Sequence, residues 1–115
     1  MVTATMENTG KIRHGWAMLE VLGFLGYAAE RYLLSCTSEV PDHLKTLIYS
    51  AHRHFIAGAD AHYSNMGADE VRERIQDGLK NLEEVGWAIG SGEKIPEELE
   101  HILKGLYAIA KKNVL

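Results

Sequence analysis

The sequence predicts an all-α fold: a single-domain four-helix bundle, up-down and antiparallel, with an unusually apolar first helix. Three observations lead there. Apolar residues recur at helical spacing through most of the chain. Both prolines, Pro41 and Pro96, fall outside the long periodic segments. No stretch alternates at strand period for more than a few residues. Short connections between the segments favour antiparallel neighbours.

At 115 residues the chain has the size of one domain with a real core. Apolar residues make up 46% and charged residues 24%, a balance that excludes a disordered chain. The segments follow in order. Residues 1–10, MVTATMENTG, show no apolar period and are expected to form a flexible lead-in, leaving 11–115 as the bundle domain. The first helix is expected from Lys11 to Cys36, ending in Thr37 and Ser38. The second starts near Pro41 and Asp42 and fades around Ser64 and Asn65. The third opens after Gly67 with acidic Asp69 and Glu70 and stops at Gly90-Ser91-Gly92. The fourth begins at Pro96 with Glu97 and Glu98, and its last turn carries Lys111 and Lys112, charges that complement the helix dipole.

At about 100° per residue, three of these helices are plainly amphipathic. Leu44, Leu47, Ile48, Ala51, Phe55 and Ala59 share one face of the second. Val71, Ile75, Leu79, Leu82 and Ile89 share one face of the third, and Leu99, Ile102, Leu103, Leu106, Ile109 and Ala110 one face of the fourth. The first helix differs. Trp16, Met18, Leu19, Val21, Leu22, Phe24, Leu25, Tyr27, Leu33 and Leu34 point nearly all round its axis. Such a helix needs cover on more than one side. It is either wrapped by its own chain or faces another subunit, and homo-oligomerisation through this helix is the expectation. Gly23 and Gly26 lie near each other on it and would accommodate a bulky neighbour such as Phe55.

The polar residues that carry chemistry cluster in AHRHFIAGADAH, residues 51–62. Helical chelation wants ligands three or four residues apart, so that they share a face. His52 is followed at those spacings by Phe55 and Ile56, His54 by Ala57 and Gly58, and His62 by Asn65 and Met66. His52 and His54 diverge by about 200°, so the stretch is not a self-contained metal motif. His62 falls in line with Leu44 and Phe55, while His52 and His54 flank that stripe. Glu30 is the other polar residue in an apolar line, beside Leu33 and Leu34. A buried carboxylate needs a cationic or donor partner, and His62 and Arg53 are candidates. Glu30, His52 and His62 are therefore the candidate ligand-binding residues, with Glu30–His62 the sharpest pair.

Other chemistry is thin. Glu98-Leu99-Glu100-His101 has the Glu-x-x-His spacing of di-iron bundles, but it occurs once and His101 faces away from the stripe. Cys36 sits at a helix C-terminus, where the dipole disfavours a thiolate. Gly90-Ser91-Gly92 has no following lysine to suggest a phosphate cradle. No catalytic residue, metal site or cofactor is expected.

The formal charge of -4 comes with scattered basic residues (Arg72 and Arg74, Lys111 and Lys112), which argues against a nucleic-acid partner. Glu20 interrupts the apolar run from Trp16 to Ala29, and Glu30 and Arg31 close it, which suits neither a secretory segment nor a membrane span of about 20 residues. With one cysteine and no internal disulfide, a cytoplasmic place is the default. Trp87, among Lys80, Glu83 and Glu84, and the off-core line Tyr49, Ile56 and Tyr63 are candidate interaction surfaces. Together these features point to a small non-catalytic interaction or assembly module, a homodimer with the option of a further protein partner. The alternative is a bundle that binds a small ligand or metal near Glu30, His52 and His62, in its core or at a dimer interface where symmetry doubles each ligand.

Overall fold

Turn chemistry cuts the chain where the sequence says it should. The computed structural model describes residues 2–35 and 39–114, with side chains described for 19–35 and 39–114. It contains α1 (Val2–Ser35), α2 (Asp42–Tyr63), α3 (Ala68–Gly90) and α4 (Glu97–Lys112), with no strand among the described residues. Pro41 and Pro96 each stand directly before a helix, and their carbonyls accept the first turn's amides from Leu44, Lys45 and Glu100, all at 3.0 Å. A proline at this place lacks only an amide that no intrahelical acceptor could have used. The α2–α3 turn runs through Asn65 and Gly67, both at positive φ, and Met66 donates back to the Ala61 carbonyl at 2.9 Å. The α3–α4 turn passes through Gly92, whose φ of 110° is a conformation open to glycine.

One boundary differs from expectation. α1 begins at Val2, so residues 2–10, expected as a lead-in, continue the first helix. No proline interrupts this stretch, and a nucleated helix adds a hydrogen bond for each residue it fixes, which outweighs a lone glycine. The expected end at Cys36, Thr37 and Ser38 lies outside the described residues, as do the side chains of Trp16 and Met18.

The helices form a ring in which α1 packs on α2 and α4, α2 on α3, and α3 on α4. Leu22, Leu33, Leu44, Ile48, Phe55, Ile75, Leu99 and Leu106 fill the centre and are fully buried. The most extensive contact is between α2 and α3, the least extensive of these between α3 and α4. Two glycines explain the close approach. A Cβ on Gly78 would stand 2.5 Å from Phe55 Cε1, and one on Gly58 would stand 2.8 Å from Ile75 Cγ1. Each helix omits a side chain where the other presents a large one. Arg74 reaches across the pair to the Ala57 carbonyl at 3.2 Å while holding Glu70 at 2.8 Å.

This packing sets a stability contrast. Gly78→Ala is expected to destabilise the protein by about 1–3 kcal/mol, because the buried Phe55 ring has little room to retreat. Gly86→Ala, in the same helix with nothing within 4 Å of its Cβ position, is expected to stabilise by about 0.5–1 kcal/mol. Urea unfolding followed by circular dichroism checks both. Equal midpoints for Gly78→Ala and the wild type would show that the α2–α3 contact is not close-packed.

Candidate functional site

The one buried polar side chain among the described residues is His52, on α2. Its ring lies directly over Gly26 of α1, where any Cβ would collide with the imidazole. One helical turn further along α1, Glu30 brings Oε2 to 3.5 Å from His52 Nε2. That separation is within ion-pair range but longer than a good hydrogen bond. Nδ1, on the other side of the ring, is buried with no hydrogen-bond partner. Burial pushes the His52 pKa below its ordinary 6.5, and the Glu30 carboxylate pulls the other way. The pair is a half-satisfied polar contact at the α1–α2 seam.

Glu30 therefore pairs with His52, and the expected Glu30–His62 pair does not form. His62 lies ten positions beyond His52, about 15 Å along α2. It lines a different cleft near the α2–α3 turn, with Leu19, Asn65, Val71 and Arg72, and its ring meets Tyr63 edge-on at 5.5 Å. Arg53 is exposed on the outer face of α2. The three candidate ligands thus belong to two places. Among the described residues no group of three or more His, Cys, Asp or Glu is arranged to hold a metal ion. His101 is exposed and pairs with Glu97 at 3.6 Å, on the outside of the bundle. The glycines also fall differently from expectation: Phe55 packs on Gly78, Gly26 receives His52, and Gly23 meets none of the described residues. A signal for the true pair was present, since Gly26 precedes Glu30 by four positions and its missing side chain makes the room a ring needs.

The interaction candidates separate in the same way. Trp87 is 68% exposed and stands at the mouth of a cleft of about 440 Å³ between α3 and α4. Leu82, Val85, Ile89, Ile95 and Leu103 form its apolar lining, and Glu83, Lys104 and Tyr107 its polar edge. Ile56 and Tyr63 are exposed, whereas Tyr49 packs half-buried against the core.

Exposed apolar residues also gather on the side of α1 that faces away from the core. Its buried residues are Leu19, Leu22, Ala29 and Leu33. Facing outward are Phe24 at 74% exposure, Leu34 at 69%, Tyr27 at 53% and Val21 at 42%. With only α2 and α4 as its main neighbours, α1 has no third helix to cover them. Among the described residues no helix is long and apolar enough to cross a membrane. Comparison with family models, with curated proteins and with solved structures finds no match for this chain.

The buried histidine makes stability depend on pH. Its folded pKa lies below the unfolded one, so the stability it permits is complete above the ordinary 6.5 and is lost as pH falls through the lower folded value. Unfolding midpoints measured between about pH 7.5 and 5.5 are expected to fall for the wild type and to stay flatter for His52→Gln. Glu30→Gln removes the opposing charge and is expected to lower the His52 pKa further in an NMR titration. An unchanged titration in Glu30→Gln would show that the two groups do not interact.

Proposed function

We propose that this chain is a non-catalytic interaction or assembly module that self-associates through the outer face of α1. The carrying observation is the exposed set of Phe24, Tyr27, Leu34 and Val21 on a helix whose opposite side is already buried. Apolar surface removed from water contributes about 25 cal/mol per Å², so exposed apolar residues of this kind are stabilised by a cover. Glu30 and His52 fit a structural part in this reading, because the histidine ring fills the space over Gly26 rather than lining an open pocket. Trp87 and the α3–α4 cleft are the face left for a different protein partner. A cytoplasmic place belongs to the same proposal and is supported by a single cysteine, which closes no internal disulfide.

Solution mass measured by light scattering after gel filtration, over a wide concentration range, tests the reading. A dimer is expected, unchanged by chelator. Phe24→Glu is expected to weaken it by about 2–4 kcal/mol, the scale of a central aromatic anchor. Trp87→Ala is expected to leave the mass unchanged. A wild-type chain that stays monomeric at every concentration would overturn the proposal.

A further inference from the structure

Resting on that reading, we propose that the second copy docks antiparallel along α1, with Glu20 of each chain across from the partner's Arg31 and Phe24 across from the partner's Tyr27. The spacing of the exposed residues carries this. Glu20, Phe24, Tyr27, Arg31 and Leu34 follow one another at alternating intervals of four and three, and every one of them is exposed. That alternation is the heptad seam of a two-helix contact. Here it runs along the outside of a finished bundle, where the intramolecular core makes no use of it.

Charge then selects the orientation. In a parallel pair each seam residue meets its own copy, so Glu20 faces Glu20 and Arg31 faces Arg31, with repulsion at both ends. In an antiparallel pair centred between Phe24 and Tyr27, a two-fold axis layers Glu20 with the partner's Arg31 and Phe24 with the partner's Tyr27. Each contact is repeated by symmetry, as an isologous interface requires. The centre is aromatic and the two ends carry opposite charges. The seam is complementary to itself in one direction only.

Three further features fit this register. Arg31 already lies over the Tyr27 ring, its guanidinium carbon 5.9 Å from the centroid, which holds the charge on the seam. Gly23 and Ala28 flank the seam, and among the described residues nothing stands within 4 Å of the Gly23 Cβ position, so a neighbouring helix can approach closely. On one side, Glu98 and Ile102 of α4 border the same groove, which has a volume of about 510 Å³ and gives the second helix a seat beyond the seam.

The test is a charge exchange read by the dimer dissociation constant. Glu20→Arg alone and Arg31→Glu alone are each expected to weaken the dimer about tenfold, because both place like charges across the seam. Mixing these two variants is expected to restore wild-type affinity, with the heterodimer dominating in native mass spectrometry. The double variant Glu20→Arg, Arg31→Glu is expected to dimerise as the wild type does. Both positions are exposed, and matching unfolding midpoints show that each variant is folded. A dimer that neither single substitution weakens, or a mixture with no gain, overturns the antiparallel register. So does Glu20→Arg pairing with the wild type more tightly than the wild type pairs with itself, the pattern of a parallel seam. If the dimer is also indifferent to Phe24→Glu, self-association through α1 falls with the register; if Phe24→Glu breaks it, only the register falls.

Discussion

Phe55 seated against Gly78 is the contact on which the rest of the bundle depends. A fully buried aromatic ring needs a full set of neighbours, and here one neighbour is bare backbone, which lets α3 approach the ring closely. Ile75 against Gly58 repeats the device in the opposite sense, so that neither helix is pushed out of line. The α2–α3 pair becomes a rigid platform. α1 settles on it by placing Gly26 under His52, and α4 joins through Leu99, Leu103, Leu106 and Ala110. Between α3 and α4, where contact is least extensive, a cleft opens beside Trp87.

A ring of four helices gives each helix two flanking neighbours and one outward face. For α2, α3 and α4 the arrangement largely suits the sequence, because each buries one dominant apolar stripe. For α1 it does not, since the same geometry that buries Leu22 and Leu33 turns Phe24 and Leu34 outward. The exposed apolar surface is therefore a product of packing order as much as of composition. Glu20 and Arg31 stand exposed on the same outward side of α1.

His52 shows a different economy. Its burial is tolerated because Gly26 makes room and Glu30 supplies a partial partner, while Nδ1 is left without one. An apolar residue of similar size would avoid that cost. What the histidine contributes is a marker of register. Only one sliding position of α1 on α2 sets a ring over a glycine and an imidazole beside a carboxylate.

How far the sequence could be read follows from what periodicity measures. Helical spacing reports the direction of a side chain around its own axis, and that was enough to recover four helices, their punctuation at Pro41, Gly67, Gly92 and Pro96, and most of the buried set. It was also enough to find a first helix apolar on all sides. It does not report which neighbour stands in that direction, or at what height. His62 lies in line with Phe55 around α2, yet it sits a level too far along to meet Glu30, whereas His52, at the edge of the stripe, is covered because α1 crosses there. Gly26, Gly58 and Gly78 looked alike in sequence as helical glycines; opposing rings and branched chains gave each its partner. The sequence by itself determined the elements and their faces, because these depend on local geometry. Only the tertiary structure decided the partners, Glu30 with His52, Phe55 with Gly78, and the side of α1 left open, because pairing depends on the separation between axes and on how far one helix is slid along another.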